Sequence, residues 1–574
     1  MNYQIEYNRW LQSPSLNEDE RAELLSIKDN EELKALRFSS LMSFGTAGLR
    51  STMNMGPAAM NRFTVMHTTR GIAKLILSEN GAERGAVIAY DSRNNSKSFA
   101  KACAEVLSGA GIKVYIFESL RPTPELSFAV RELGCIAGIN ITASHNPKEY
   151  NGYKAYWEDG AQIGPEQAET VTRERESFDV LDTQGLADYE AALKNGKIIE
   201  LGEEFDKIYL AAVLKTAINR DAVKDVSDAL SVVYTPLHGA GYKLVPEVFR
   251  EIGLKKLYCV EEQMIPSGDF PTVKKPNPEY KDVFELGIKL ADKVGSDLVI
   301  ATDPDSDRVG VVSRCRDGEF KTISGNQMGA LLLDYAITAK RQAGGLNEHS
   351  FCVKSLVSTD MANKIADTNN VKLYEVLTGF KFIGEVIKKS EAAGNPDGFI
   401  LGFEESYGYL LGTYARDKDA VEASMLILEM TAYYKKKNMT LSEALDALYE
   451  KYGFYTERTI DIYMEGLDGI EKRGRVMSNL RNNPPKHFSS IKVISVGDYL
   501  KGKFVSLDGA ESPTDQPLSD VLYYTLENGD KIIVRPSGTE PKIKIYILAH
   551  GNSSDELNQK AEGYSLAVKA ITEV

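Results

Sequence analysis

The amino-acid sequence predicts an α/β protein in which three similar α/β domains surround a central cleft and a smaller α+β domain follows them. Three observations support this prediction: the chain has 574 residues, short apolar strands alternate with helical segments in three successive blocks, and the tail has a different pattern. At about 150 residues per domain, the length leaves room for about four domains. Nearly continuous apolar strands separated by helices are typical of parallel sheets that are covered on both faces.

The first block is predicted to form an α/β domain over residues 1–205. Its helices are expected near residues 97–110 and 124–133. Its apolar strands are AVIAYD (86–91), KVYIF (113–117) and CIAGINIT (135–142).

The second and third blocks repeat this layout and are predicted to form domains over residues 206–315 and 316–455. Helices of the second block are expected near 241–252 and 282–293. The strands of the second block are SVVYTPLHG (231–239), KLYCVE (256–261) and DLVIATD (297–303). Those of the third block are SFCVKSL (350–356), KLYEV (372–376) and GFILGFEES (398–406).

The tail predicts a smaller α+β domain over residues 456–574. A helical stretch over about 420–452 precedes short strand-like segments. KIIVRPSGTEPKIKIYILA (531–549) then has two alternating strands around a Pro and Gly turn, and a last helix is expected over about 553–571.

A polar loop follows the last strand of each block. These loops are TASHNPKEYNGYK (142–154), DPDSDR (303–308) and EES (404–406). In open α/β sheets, ligands bind beyond the carboxyl ends of the strands. Three polar loops at equivalent places therefore predict three sheets that line one cleft.

The charge of the chain argues against two classes of partner. The formal net charge is 68 minus 82, or −14, which disfavours binding to nucleic acid or to an anionic membrane surface. Residues 1–15 lack the features of a signal peptide, and no apolar run approaches the roughly 20 residues of a membrane span. We therefore expect a cytoplasmic enzyme.

DPDSDR is the strongest indication of a metal site. Asp303, Asp305 and Asp307 can direct three carboxylates to one centre, which is unfavourable unless a cation or protons occupy it. Carboxylate oxygens suit a hard cation, so Mg²⁺ is the leading candidate and a solvated acidic turn is the alternative. A calcium EF-hand is excluded, because Arg308 and Arg314 would stand at its glycine and final glutamate positions.

The loop after the first block suggests phosphoryl transfer. Ser144 and His145 do not indicate a hydrolase triad, because a GxSxG elbow is absent and the side chains of sequence neighbours tend to point apart. Ser144 can instead carry a phosphoryl group, Mg²⁺ can neutralise it, and Lys154 can supply positive charge or shuttle a proton. The alternative is a turn in which Ser144, Asn146 and Asn151 bond only to backbone groups.

Further loops favour anion and sugar binding. RPSGTEP combines Arg535, Ser537 and Thr539 with a glycine, a combination that suits a phosphate site better than a plain hairpin turn. GFEES offers Glu404 and Ser406 to sugar hydroxyls, although a polar strand end is the alternative. GTAGLR resembles an anion-binding loop, but the nucleotide P-loop and a convincing GxGxxG fingerprint are absent, which disfavours ATP and nicotinamide enzymes.

Six motifs taken together resemble a known family, the α-D-phosphohexomutases, and specifically its phosphoglucomutase and phosphomannomutase group. In chain order they are FGTAGLR, TASHNPKEYNGYK, DPDSDR, TGFKFIG, GFEESYGY and RPSGTEP, and they cover nearly the whole chain. The resemblance implies four domains around a central cleft, of which three have a mixed α/β fold and the fourth a smaller α+β fold.

The resemblance also implies roles for individual residues. Ser144 would be the phosphorylated catalytic serine, and one Mg²⁺ per chain would be held by Ser144, Asp303, Asp305 and Asp307. The other implied catalytic residues are Arg50, Lys154 and Lys418. His145 is a further catalytic candidate, and the general acid and base are open among Lys154, Lys418 and His145. The implied substrate-binding residues are Arg308 near the phosphate, Gly379, Lys381, Glu404 and Ser406 on the sugar, and Arg535, Ser537, Gly538 and Thr539 on the far phosphate.

The implied reaction exchanges two ester positions of a sugar phosphate. The phosphoserine would convert glucose 1-phosphate and glucose 6-phosphate into each other through glucose 1,6-bisphosphate, which would also act as activator. Phe403 stands where the GEES form of the sugar loop has glycine, as in the subgroup of bacterial phosphoglucomutases and phosphopentomutases. A phosphopentomutase, a glucose 1,6-bisphosphate synthase, a magnesium-dependent sugar phosphatase and a non-catalytic binding protein are the alternatives, and we expect a monomer or homodimer.

Overall fold

The computed structural model describes residues 2–45, 48–464, 469–537 and 542–572. The chain forms two compact units. The first contains Met1–Ile323, Gly384–Asp397 and Tyr407–Thr440, and the second contains Ser324–Ile383, Gly398–Ser406 and Leu441–Val574. These units do not follow the predicted domain boundaries, which stay predictions.

The first α/β region has a sheet in the order β1-β5-β4-β2-β3-β6. Its strands are β1 (Gly48–Thr52), β2 (Ala86–Tyr90), β3 (Val114–Phe117), β4 (Ala137–Ile141), β5 (Tyr150–Trp157) and β6 (Ile198–Leu201). Its helices are α1 (Tyr3–Leu11), α2 (Glu18–Ser26), α3 (Glu31–Phe38), α4 (Arg62–Ser78), α5 (Ser96–Gly109), α6 (Thr123–Glu132), α7 (Pro165–Arg175) and α8 (Tyr189–Lys194). The residues of β2 and β4 are buried throughout, as their apolar sequences predict.

The edge of this sheet differs from the parallel arrangement that the apolar pattern indicates. The predicted strands β2, β3 and β4 pair in parallel, whereas β5 runs antiparallel to both β4 and β1. Strand β5 contains NGYK, which follows a tight loop, so a short reversal returns the chain beside β4. The sheet is therefore a mixture of parallel and antiparallel strands, where the apolar pattern predicts a parallel one.

The second α/β region repeats this design with the order β11-β10-β9-β7-β8. Its strands are β7 (Ser231–Thr235), β8 (Lys256–Cys259), β9 (Leu298–Thr302), β10 (Val309–Arg314) and β11 (Phe320–Ile323). Its helices are α9 (Glu203–Lys215), α10 (Asp221–Val226), α11 (Gly241–Glu251) and α12 (Glu285–Val294), with 3₁₀ turns at Glu261–Met264 and Lys281–Phe284. Strand β7 pairs in parallel with β8 and β9, and β10 returns antiparallel to β9.

The third region contains the predicted parallel strands, with β12 pairing in parallel with both β13 and β14. The strands are β12 (Phe351–Ser355), β13 (Lys372–Val376), β14 (Phe399–Glu404) and β15 (Gly408–Leu410). The helices are α13 (Gly325–Gln342), α14 (Met361–Asn369), α15 (Phe380–Ala392), α16 (Ala420–Lys436) and α17 (Leu441–Tyr452). The single helical stretch expected over 420–452 is two helices, because Asn438 at φ 57° adopts a left-handed conformation that ends α16.

The C-terminal region is an antiparallel sheet with helices, which confirms the expected α+β domain. Its strands are β16 (Phe454–Tyr463), β17 (His487–Phe488), β18 (Ile491–Asp498), β19 (Lys503–Ser506), β20 (Glu511–Pro513), β21 (Leu522–Leu526), β22 (Lys531–Pro536) and β23 (Lys542–Gly551). Its helices are α18 (Gly469–Asn482) and α19 (Ser554–Thr572). Leu480 and Tyr564 of these helices share a buried apolar cluster with Leu522 and Ile545 of the sheet.

Within the second unit, the third region and the C-terminal sheet share apolar packing. Leu356 and Leu377 belong to one buried cluster with Tyr523, Ile533 and Leu548 of the C-terminal strands. Among the described helices, none has the length and apolar character needed to cross a membrane.

Candidate active site

Ser144 lies in a tight loop directly after β4. Its φ of 52° is left-handed, a conformation that is uncommon for residues other than glycine. Its backbone N–H donates to Thr142 Oγ1 at 2.8 Å, and its hydroxyl Oγ donates to Asp303 Oδ2, also at 2.8 Å. Ser144 is 3% exposed, so the loop holds its hydroxyl against the first aspartate of the predicted metal loop.

His145 also approaches the hydroxyl group of Ser144. Its Nδ1 lies 3.3 Å from Ser144 Oγ, so the expectation that these neighbouring side chains point apart is wrong. The left-handed backbone at Ser144 explains the difference, since side chains alternate between faces only in extended chain. Burial, and then the positive charges of Arg308 and Arg50, lower the pKa of His145, which favours the neutral imidazole.

The DPDSDR loop connects β9 to β10 and directs three carboxylates to one point. The carboxyl groups of Asp303, Asp305 and Asp307 are buried, and each offers an oxygen within 4.8 Å of the other two. Asp303 Oδ1 accepts the N–H groups of Asp307 at 3.2 Å and Arg308 at 3.0 Å, which fixes the turn. Ser306, with φ 54°, provides the reversal between the second and third aspartates.

Two lysines compensate this negative charge. Lys154 Nζ, on β5, lies 2.7 Å from Asp305 Oδ2 and 3.1 Å from Asp307 Oδ2. Lys418 Nζ lies 3.3 Å from Asp307 Oδ2. Burial alone would raise the pKa of Asp307, but the two lysines outweigh it and lower that pKa. For Asp303, burial and the adjacent carboxylates raise the pKa.

The carboxylate cluster fits a divalent cation of the hard type. Asp305 Oδ1 and Asp307 Oδ1 are buried and have no hydrogen-bond partner among the described residues. Buried polar atoms are normally paired, so such oxygens are free to serve as ligands. An all-oxygen donor set from carboxylates and a hydroxyl is the kind that magnesium and calcium prefer.

Two arginines predicted to face phosphate lie beside the same loops. Arg50 is on β1, opposite Gly152 of β5, and its Nη1 donates to Asn146 Oδ1 at 3.1 Å. Arg308 Nη1 donates to Glu279 Oε1 at 2.7 Å. Arg50 is thus held against the Ser144 loop and Arg308 beside Asp307, with Arg308 Nε 3.8 Å from Asp307 Oδ1, and both lie in the same unit as the three aspartates.

Lys418 is oriented by its neighbour in sequence. Asp417 Oδ1 accepts Lys418 Nζ at 2.9 Å, while Asp417 Oδ2 accepts the hydroxyl of Tyr156 at 2.8 Å and the amide of Gln162 at 3.3 Å. Asp417 is 1% exposed. The ammonium group of Lys418 is therefore fixed between Asp417 and the metal loop.

The predicted sugar-binding residues lie in the second unit. Gly379 has φ 124° and its N–H donates to Glu404 Oε1 at 2.7 Å, so the TGFKFIG and GFEES loops meet. Lys381 lies in the first turn of α15, with Nζ 5.4 Å from the centre of the Phe382 ring. Ser406 follows β14 and is partly exposed.

The predicted phosphate loop joins β22 to β23. Arg535 is on β22 opposite Lys544, and the N–H of Ser537 donates to Lys542 O at 2.9 Å. Arg473 of α18 donates to the carbonyl of Ser537. The other two residues predicted for this loop, Gly538 and Thr539, lie outside the described residues.

Comparison with protein families identifies the chain. The family described as phosphoglucomutase/phosphomannomutase matches with its α/β/α domain I over residues 41–179, domain II over 207–318 and domain III over 324–452. The chain belongs to this family. The resemblance that the six motifs indicate is therefore confirmed, and so is the mutase class of enzyme.

Curated relatives agree with the phosphoglucomutase/phosphomannomutase family, and a solved structure has a similar fold. A phosphoglucomutase of Staphylococcus saprophyticus is 37% identical over 557 residues, covering 96% of this chain and 98% of the relative. A phosphoglucomutase of Staphylococcus aureus is 38% identical over 524 residues, covering 91% and 92%. The open form of parafusin, a phosphoglucomutase from Paramecium, has a TM-score of 0.66 at 18% identity, with 93% of this chain and 96% of that one covered.

Several residues of the site escaped the sequence analysis. Asp91 and Arg93 follow β2, and Thr123 begins α6 after β3. The hydroxyl of Thr123 donates to Asp305 Oδ2 at 2.8 Å and its N–H donates to Asp305 O at 2.8 Å, so it supports the metal loop directly. Ligands bind beyond the carboxyl ends of strands in general, and not only of the last strand in each block. The ends of β2 and β3 therefore mark these three residues as candidates for the site.

Proposed function

We propose that this protein is a phosphoglucomutase that converts glucose 1-phosphate and glucose 6-phosphate into each other through phosphorylated Ser144. The observation that carries the proposal is the 2.8 Å contact between Ser144 Oγ and Asp303 Oδ2 of a buried three-aspartate cluster. A nucleophilic hydroxyl beside a cation site is the arrangement that phosphoryl transfer requires. The names of the two staphylococcal relatives support glucose as the sugar.

The proposed metal ion is one Mg²⁺ per chain, held by Asp303, Asp305 and Asp307 together with an oxygen of phosphorylated Ser144. When bound, it neutralises charge on the phosphoryl group. Lys154 and Lys418 contact the Oδ2 atoms of Asp305 and Asp307 and limit the mutual repulsion of the carboxylates.

The proposed reaction has two transfers. In the first, the P–O bond to Ser144 breaks while a bond forms between phosphorus and a free hydroxyl oxygen of the sugar phosphate. The sugar hydroxyl gives its proton to a base, and the Ser144 oxygen takes a proton as it leaves. The product is glucose 1,6-bisphosphate. In the second, Ser144 Oγ gives its proton to a base and bonds to the other phosphorus, the P–O bond from that phosphorus to the sugar oxygen breaks, and this oxygen takes a proton. The isomeric monophosphate is released, and the enzyme ends phosphorylated as it began.

The basic residues around Ser144 supply the remaining functions. Arg50 and Arg308 would bind phosphoryl oxygens through charge-assisted hydrogen bonds. Lys154, Lys418 and His145 are the candidates for proton transfer, since all three lie around the aspartates and Ser144.

The residues of the second unit are proposed to recognise the same substrate. Glu404 and Ser406 would bind sugar hydroxyls, with Gly379 and Lys381 contributing from the neighbouring loop. The phosphate that is not reacting would bind the residues of RPSGTEP, namely Arg535, Ser537, Gly538 and Thr539.

The test is conversion of glucose 1-phosphate to glucose 6-phosphate with Mg²⁺ and trace glucose 1,6-bisphosphate. Wild type should be active, Ser144→Ala should lose turnover by at least about 1,000-fold, and EDTA should abolish it until Mg²⁺ is restored. Ser98→Ala is the matched control, because Ser98 is exposed and donates only to the backbone carbonyl of Asn95 in the same unit. An active Ser144→Ala protein would overturn the mechanism.

Parallel assays separate the alternatives. Activity on ribose 1-phosphate alone would indicate a phosphopentomutase. Accumulation of free glucose 1,6-bisphosphate would indicate a synthase, and stoichiometric release of inorganic phosphate would indicate a phosphatase.

A further inference from the structure

Arg93 is a buried arginine that occupies the space beneath the Ser144 loop. It follows β2 in the sequence YDSRNNS and is 3% exposed. Its guanidinium carbon lies 5.1 Å from the centre of the Phe270 ring, which covers one face of the group. Arginine is seldom this buried unless its donors are satisfied, so its partners are informative.

Those partners are backbone carbonyls of the Ser144 loop. Nη2 donates to the carbonyls of Ser144 and Asn146, both at 2.5 Å. Nη1 donates to the carbonyls of Pro147 at 2.9 Å and Tyr150 at 3.1 Å. One side chain therefore holds four carbonyls within the seven residues that begin at Ser144.

Asp91 completes the arrangement from the other side. Asp91 Oδ2 lies 3.3 Å from Arg93 Nε and accepts the Thr142 hydroxyl at 2.7 Å. Thr142 Oγ1 in turn accepts the N–H of Ser144. Asp91 Oδ1 accepts the N–H of Arg93 at 2.9 Å and the Ser96 hydroxyl at 2.8 Å. Both the N–H and the carbonyl of Ser144 are thus tied to the Asp91 and Arg93 pair.

The chemistry of guanidinium explains why arginine stands here. Its N–H donors have fixed directions in one plane, and here Nη1 and Nη2 make four hydrogen bonds to carbonyls, while Nε lies 3.3 Å from the carboxylate of Asp91 without donating a hydrogen bond to it. An ammonium group has three donors at one point and cannot reach four separated carbonyls. Without these bonds, the loop would lose the restraint that keeps Ser144 in its unfavourable left-handed conformation.

We propose that Arg93 is a positioning residue for phosphoryl transfer: by holding the carbonyls of residues 144–150, it fixes Ser144 Oγ against the metal loop. The inference rests on the proposed function, because it takes Ser144 as the phosphoryl carrier. Arg93 reaches none of the reacting atoms. Its effect is transmitted through the backbone of the loop, so it alters the transfer step more than sugar binding.

The experiment compares Arg93→Lys with Arg175→Lys. Arg175 is also 3% exposed and donates to a backbone carbonyl, that of Met42, but it does not contact the Ser144 loop. We expect Arg93→Lys to lower kcat for glucose 1-phosphate by about 100-fold, with KM changed by less than about threefold. Arg175→Lys should keep kcat within about twofold, although both variants lose a buried guanidinium.

A second readout does not depend on activity. Hydrogen exchange of the peptide that covers residues 142–150 should accelerate at least about tenfold in Arg93→Lys and remain unchanged in Arg175→Lys. If wild type has no mutase activity, the proposed function fails while the exchange result still tests whether Arg93 holds the loop. If wild type is active and Arg93→Lys keeps its kcat, the positioning role is overturned.

Thr142→Val is the test variant if Arg93→Lys does not fold. It removes the hydroxyl that donates to Asp91 and accepts the N–H of Ser144, with little change in side-chain volume. A fall in kcat with KM retained and faster exchange of the loop supports the proposal. Unchanged kcat and exchange in this variant contradict it.

Discussion

The Ser144 centre of the first unit and the sugar and phosphate loops of the second unit differ in how they hold their polar groups. Ser144 is 3% exposed and Asp303 is fully buried, and each has several hydrogen bonds to the surrounding loops. In the second unit, Lys381, Ser406 and Arg535 are partly exposed, although Glu404 is 5% exposed and accepts the N–H of Gly379. Bond formation needs atoms fixed within fractions of an ångström, whereas recognition of a sugar that reorients needs accessible groups.

The two regions also differ in how charged neighbours shift the pKa of their carboxyl groups. Burial and Asp307 would raise the pKa of Asp305, but Lys154 outweighs them and the pKa is lowered, so this carboxylate stays charged. In the second unit, burial and then Glu404 raise the pKa of Glu405 to about 7, against the opposing effects of Arg535 and Lys544. In the first region the lysines therefore lower the pKa of Asp305 and Asp307, although burial and these neighbours raise the pKa of Asp303, while in the second region no lysine outweighs the burial of Glu405.

The comparison predicts the largest effect for the charge of Asp303. Asp303→Asn keeps the size of the side chain and an acceptor for Ser144 Oγ, but removes one negative charge from the proposed metal site. We expect kcat to fall by about 1,000-fold with KM little changed, because the lost interaction acts on the transferring group. Steady-state kinetics with saturating Mg²⁺ measure both constants.

Asp292→Asn is the matched control for this variant. Asp292 lies in the same unit, 59% exposed, in a surface ion pair with Arg314 at 2.9 Å. Its removal should leave both constants within about twofold, since exposed pairs contribute little. If Asp292→Asn lowered kcat as much as Asp303→Asn, the buried charge of Asp303 would have no special role in the reaction.

A recognition residue should show the opposite kinetic signature. Arg535→Ala removes a guanidinium that is proposed to bind the phosphate that is not reacting. We expect KM for glucose 1-phosphate to rise about 10- to 100-fold, the equivalent of one or two charge-assisted hydrogen bonds, with a smaller change in kcat.

Arg458→Ala provides the control within the same sheet. Arg458 is on β16 and pairs at 2.9 Å with Glu562, which is 65% exposed. The KM of Arg458→Ala for glucose 1-phosphate should stay within about twofold of the wild-type value. If Arg535→Ala instead lowers kcat alone, the division between a reaction centre and a recognition region is wrong.

The sequence predicts most of the elements that contain these two regions. The strand ends at Ile141, Thr302 and Glu404 were expected within a few residues, because continuous apolar runs end where polar turn residues begin. The motifs after those strands also indicate Ser144 and the aspartate cluster, since three carboxylates directed to one centre repel one another unless a cation or protons are bound.

The contacts that complete the centre could not be predicted. Thr123 meets Asp305, and Arg93 meets the Ser144 carbonyl, across long stretches of sequence that carry no local signal for the pairing. Helices α1 to α3 were also missed. Their burial depends on aromatic packing such as that of Trp10 against Phe38 and Phe63, a tertiary contact rather than a periodic pattern.

The smallest predicted effect concerns the carboxyl group of Glu405 and is a dependence of stability on pH. The ordinary pKa is 4.5, and the folded value is raised to about 7. Below pH 4.5 the carboxyl group of Glu405 is protonated in both the folded and the unfolded chain, so it adds no pH dependence to the free energy of unfolding. Between pH 4.5 and 7 the unfolded chain releases a proton that the folded chain keeps, so stability falls as pH rises.

Glu405→Gln should remove this loss while keeping an acceptor for the Ser355 hydroxyl, which donates to Glu405 Oε2 at 3.1 Å. Because Glu405 is partly exposed, we expect a gain of about 1–2 kcal/mol at pH 8 and none at pH 4. The midpoint of thermal unfolding of variant and wild type, measured at both pH values, tests this. A variant that is less stable at pH 8 would mean that Arg535 and Lys544 compensate Glu405 fully, which would remove the electrostatic contrast between the two regions.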